Sequence, residues 1–254
     1  MKLIKTFLTT VLLGASIFSF QSTVYAMEEE KVDKIVHLFE QKDFNSALAI
    51  IRPLADQGDG AAQAMLAVLY KNGDGIKQDY FEAIKWYKKS AEQGVRIAQY
   101  DLAGMYINGL GVKQNYQEGF KWLKEAAEQD DVDAQFKVGM MYKDGVGVKQ
   151  NNTEAVKWLK KAANQNDTES QMILGDIYYD GDGVKENKTE AIKWYQKAAE
   201  NNNSRAQAIV GVAYMGGIGV KQNFATAKKW FGKACDNKEQ KGCEMYKQLN
   251  QGTK

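Results

Sequence analysis

Residues 98–128 read AQYDLAGMYINGLGVKQNYQEGFKWLKEAAE. Ala98, Leu102, Ala103 and Tyr106 fall at i, i+4, i+5 and i+8, one stripe along a helix. Asn108-Gly109-Leu110-Gly111 breaks that helix, because glycine accepts the left-handed conformation a helix C-cap requires. A second helix follows, with Gly119, Trp122, Leu123, Ala126 and Ala127 on one face. It ends at Asp130, in a column otherwise made of Gly58, Gly94, Asn166 and Asn202, the residue types that tolerate a left-handed cap. The stretch spells an antiparallel helix pair.

That pair recurs along the chain. Trp86, Trp122, Trp158, Trp194 and Trp230 stand 36 residues apart. Gly73/Gly75, Gly109/Gly111, Gly145/Gly147, Gly181/Gly183 and Gly217/Gly219 keep the same register. So do Tyr70, Tyr106, Tyr142, Tyr178 and Tyr214, and so do Ala83, Ala155, Ala191 and Ala227, with Gly119 in the remaining slot. A fixed period of this length means stacked supersecondary units. Small residues at 62, 98, 134, 170 and 206 let neighbouring helices approach, and the five tryptophans fill the repeat core. The single proline, Pro53, suits an almost wholly helical product. The fold expected is all-α: a right-handed α-solenoid of stacked antiparallel helix pairs.

The first 26 residues stand apart. Lys2 and Lys5 precede a mainly apolar stretch, Thr6 to Phe20, and Val24-Tyr25-Ala26 forms a small-x-small site. This is the layout of a secretory signal peptide cut after Ala26, and the apolar stretch is shorter than a spanning helix needs. Residues 27–60 read as a degenerate leading helix pair, 61–240 as five repeats, and 241–254 as a closing helix and tail. Departures from consensus at both ends are what solenoid caps require. The exported product, periplasmic or secreted, is expected to be a monomer with no membrane insertion after cleavage.

Charge removes several function classes. The leader contributes Lys2 and Lys5 and no acid, which leaves 32 basic and 32 acidic residues beyond it. Only Arg52, Arg96 and Arg205 are arginines, so no basic face is available for nucleic acid or for anionic lipid. His37 is the only histidine, which removes the usual zinc ligand sets. Cys235 and Cys243, the only cysteines, suggest a disulfide in an exported chain. A metal pair or a reactive thiol at these positions would lack a neighbouring His and a C-x-x-C spacing.

The pattern A-x-x-x-L-[AG]-x-x-Y-x-x-G-x-G-V-K-x-[DN], followed by A-x-K-W-[YLF]-x-K-A-A, resembles the Sel-1-like repeat, the 36-residue relative of the tetratricopeptide repeat. The match spans about residues 61–240, with Ile76 in place of the usual Val and Gly119 in place of Ala. The resemblance implies a scaffold that assembles complexes, often at the bacterial envelope or against host proteins. Some periplasmic members are immunity proteins against secreted antibacterial toxins. Cysteine-rich secreted members bridge the end of one second helix to the start of the next first helix, which is where Cys235 and Cys243 fall.

Other cysteine-rich members are described as penicillin-binding or β-lactamase-like, or as binding cell-wall ligands. That chemistry needs S-x-x-K, and none of Ser46, Ser90, Ser170 or Ser204 has Lys three residues on. A serine triad needs a base, and His37 lies in a terminal helix. The Gly-x-Gly-[VI]-Lys segments follow no strand and are turns, not phosphate loops. Asp180-Gly-Asp182-Gly begins like a calcium loop, but its twelfth position is Ala191 where Glu is required. No catalytic residue, cofactor or metal is expected.

The open face remains. On a helical wheel the third, seventh and tenth residues from the small-residue column point away from the packed stripe. They include Tyr100, Ile107, Phe136, Met140, Met172, Asp176, Tyr179 and Met215, alongside smaller members such as Ala64 and Val212. An apolar, aromatic face left open on first helices marks a groove for a protein or peptide partner. The competing reading is that these side chains help bury the interior of the superhelix.

Overall fold

The computed structural model describes residues 29–251; the expected leader, residues 1–26, lies outside the described residues. Thirteen helices and no strand occupy the described residues. A leading pair, α1 (Glu29–Glu40) and α2 (Phe44–Asp56), precedes five further pairs. These are α3 (Gly60–Asn72) with α4 (Tyr80–Glu92), α5 (Arg96–Asn108) with α6 (Tyr116–Glu128), and α7 (Val132–Asp144) with α8 (Asn152–Asn164). Then come α9 (Thr168–Asp180) with α10 (Lys188–Glu200), α11 (Ser204–Gly216) with α12 (Phe224–Asp236), and a lone α13 (Gln240–Gln251). No described helix is long and apolar enough to cross a membrane.

The residues that set these boundaries sit in columns. Asp79, Asn115, Asn151, Asn187 and Asn223, the [DN] of the repeat pattern, each cap a second helix by accepting a backbone N–H with the side chain. Gly73, Gly109, Gly181 and Gly217 end first helices in the left-handed region, with φ between 67° and 79°. The second glycine of each turn has a further duty. A Cβ on Gly111 would lie 2.5 Å from the Cβ of Tyr80, and one on Gly75 would lie 2.7 Å from that of Phe44. Each turn therefore closes against the first residue of the preceding second helix.

Second helices end at the expected left-handed column: Gly58, Gly94, Asp130, Asn166 and Asn202 all have positive φ. Lys238 continues it at φ 64°. An L-residue with a long side chain is disfavoured there by ~1 kcal/mol or more. Lys238→Gly should therefore raise the urea midpoint by the equivalent of about 0.5–1 kcal/mol. No gain would mean that the lysine side chain is held by contacts that offset the strain.

The chain forms two compact units, residues up to Ala134 with Val146–Val148, and Gln135–Gly145 with Lys149 onward. In the first, one core joins α1 to α5 through Ile35, Ile51, Met65, Leu66, Tyr87 and Leu102. Ile50, at the position where a full repeat carries Trp, packs half-buried against it. In the second, Val156, Leu159, Leu174, Ile177 and Trp194 form one cluster, and Ile192, Tyr195 and Val210 another. Within each unit the stack is an α-solenoid of antiparallel helix pairs, as the repeat predicts.

A buried polar column ties pairs together. Gln63, Gln99, Gln171 and Gln207 donate from Nε2 to Ala55 O, Ala91 O, Ala163 O and Ala199 O, near the ends of the preceding second helices, at 3.0–3.2 Å. Their Oε1 atoms accept from Gln93, Gln129, Asn201 and Asn237 of their own pair at 2.7–3.1 Å. One amide thus joins three helices and leaves none of its own polar atoms unpaired. Trp86, Trp158 and Trp194 are buried, while Trp122 and Trp230 are half-buried. Lys89, Lys161, Lys197 and Lys233 place their ammonium groups 4.0–4.4 Å from the ring centroids of Trp86, Trp158, Trp194 and Trp230. Lysines one turn on thereby cover the indole faces.

The sulfurs of Cys235 and Cys243 are bonded, with 4.4 Å between the Cα atoms, and the bridge pins the start of α13 to the end of α12. Closing so short a loop stabilises by ~2–3 kcal/mol in the chain-entropy picture. A Cys235→Ser, Cys243→Ser variant should lose about that much in a denaturant titration, matching the wild type measured with reductant. An unchanged midpoint in both would show that α13 is held by packing alone.

Candidate partner-binding face

The side chains expected on the open face have different fates. In the first unit, Tyr100 and Ile107 of α5 are half-buried. In the second, Phe136 and Met140 of α7 pack half-buried against the cluster of Val156, Leu159 and Trp194. Met172 of α9 is a correction: it is only 8% exposed and belongs to the core with Ile192 and Tyr195. The same cluster takes in Ala191, Ala198 and Ala199 of the facing helix α10, so packing within the pair encloses the residue the wheel left open. Ala64 of α3 is likewise fully buried. Asp176 accepts a hydrogen bond from the Tyr195 hydroxyl at 2.5 Å. Tyr179 is 37% exposed at the end of α9, with Lys188 Nζ 5.5 Å from its ring centroid, and Met215 is half-buried on α11.

The first unit holds a comparable polar contact. Asp101 of α5 takes Lys71 Nζ at 2.9 Å and the Tyr87 hydroxyl at 3.2 Å. Burial first, and then the Asp101 carboxylate, push the Tyr87 phenol well above its usual range. Burial and the hydrogen bond to Asp176 act the same way on Tyr195. Both phenols stay protonated and donate, so they tie helices together and do not serve as bases. Among the described residues no group of three or more His, Cys, Asp or Glu side chains is placed to hold a metal ion. His37 is exposed on α1, its Nε2 2.9 Å from the side-chain nitrogen of Gln41.

What the second unit does hold is a trough of about 500 Å³ along α11. Tyr179, Ile209, Val212, Ile218 and Met245 line it, over a floor that includes the fully buried Phe231. Val212 is 42% exposed, unusual for a valine in the middle of a helix. Arg205 and Lys241 stand at the lining as well. Of the eight residues expected to form the groove, only Tyr179 lines this trough. Ile218 belongs to the turn after α11, and Met245 to the closing helix, which the wheel argument never reached.

The Sel1 repeat profile matches residues 60–95, 96–131, 132–167, 168–203 and 204–238. The chain belongs to the Sel1 repeat family. Among solved structures, a Sel1 repeat protein from Oxalobacter formigenes is 30% identical, with a TM-score of 0.73 over 80% of this chain and 84% of its own. A protective antigen of uropathogenic Escherichia coli that displays an SLR fold is 31% identical, with a TM-score of 0.75 over 92% of this chain. The match covers 48% of that antigen, so this chain spans about half its length. No curated protein is significantly similar in sequence. Five Sel1 repeats supply a helical scaffold.

Proposed function

We propose that this Sel1 repeat protein is an exported scaffold that holds a protein or peptide partner on the face of its first helices. The trough along α11 carries the reading: exposed Tyr179 and Val212 over an apolar floor form the kind of patch that marks an interaction site. The bonded Cys235–Cys243 pair supports an oxidising compartment, periplasmic or extracellular. An immunity role would be a special case, in which the captured partner is a secreted antibacterial toxin.

The test is capture from envelope and culture fractions with the wild type and two variants. Tyr179→Ala and Val212→Asp should weaken retention of the same partner by ~1–3 kcal/mol in a titration. Both side chains are exposed, so melting temperature should move little. Capture that survives both substitutions would place the partner elsewhere and end this reading.

A further inference from the structure

The trough is polarised, and its polarity describes what fits it. Arg205 lies in the first turn of α11, and Lys241 occupies the equivalent position one repeat later, in the first turn of α13. The two helices touch, which places both cations at the same end. Both side chains are exposed, and neither pairs with a carboxylate among the described residues. Glu239 is the only acid in the lining itself, against two cations, while Asp176 lies just behind it on the Tyr195 hydroxyl, within electrostatic reach of Arg205. Amino-terminal ends of two helices add to the cations in sign. Val212, Ile218 and Tyr179 belong to the apolar part of the lining, with the Lys188 ammonium 5.5 Å from the Tyr179 ring centroid outside it.

We infer that the trough takes an extended segment of a protein partner bearing an acidic side chain about three residues from a bulky apolar one. The spacing follows from α11 itself. Arg205 and Val212 are seven residues apart, or roughly 10 Å along a helix, and an extended chain covers that distance in about three residues. The volume of about 500 Å³ suits three or four residues. This inference rests on the scaffold reading above and adds the chemistry of the partner.

Panning of random decapeptides displayed on phage, against the exported protein with its disulfide intact, tests it. Enriched peptides should carry Asp or Glu about three residues from Leu, Ile, Phe or Tyr. Their affinity should fall about tenfold or more with Arg205→Glu, Lys241→Glu together, and should recover when the peptide acid is replaced by Lys. Peptides lost on Val212→Asp but indifferent to the charge reversal would overturn the acidic partner while leaving the scaffold reading intact. Peptides indifferent to both changes would overturn both. Failure to enrich any peptide, or dodecanoate or anionic phospholipid vesicles binding in an Arg205-dependent way where peptides do not, would also overturn it.

Discussion

Trp194→Ala should cost about 3–5 kcal/mol of stability, the largest effect expected of any single substitution in the second unit. The indole is 5% exposed and packs with Val156, Leu159, Leu174 and Ile177, so removing it empties a space that helices on both sides share. The backbone around it is fixed by side-chain caps and turn glycines, which limits how far the gap can close. The indole N–H has no hydrogen-bond partner, so Trp194→Phe removes an unsatisfied donor along with some surface. That variant should lose well under half as much. Denaturant titrations of the two proteins decide it, and equal losses would mean that the indole nitrogen is paired in solution.

The second large effect concerns a side chain that looks innocuous. Gln171→Ala should cost about 2–3 kcal/mol, although it removes only a small amide. Gln171 is 1% exposed; its Nε2 donates to Ala163 O at 3.0 Å and its Oε1 accepts from Asn201 at 3.1 Å. Truncation leaves a buried carbonyl without its donor and frees the side chain that closes α10. A cycle with Asn201→Ala isolates the second bond, and the pair should show a coupling above about 0.5 kcal/mol. Additive losses would assign the whole effect to the bond with Ala163.

The fold was legible because its signals sit on the backbone. A glycine that must take positive φ, or an Asn that must cap a helix, does so whatever its neighbours are. Five copies of each at one spacing leave no other architecture. The second glycine was legible as a turn residue, but not as the point where a turn meets the preceding helix. Only the assembled stack shows Tyr80 beneath Gly111. The glutamine column kept perfect register in the sequence and still told little, since an amide on a helix reads as surface until both of its bonds are seen.

The candidate site was legible only in part, for a geometric reason. A helical wheel gives the direction of a side chain from its own axis and says nothing of how far a neighbour reaches. Tyr179 stayed open, whereas Met172 was taken into the core cluster with Ile192 and Tyr195 of the facing helix. The wall supplied by Met245 came from α13, which lies outside the repeat positions the wheel was drawn on.

The contact between each second glycine and the helix before it bears on how such a chain can change length. Adding or deleting a few residues within a turn would lift that turn off its neighbour and break the seam on one side. Gene duplication in whole-repeat steps leaves every seam intact, because each new copy brings both its own turn and the helix start on which the following turn rests. The protein can therefore grow or shrink by counting repeats, while the interval between them stays frozen.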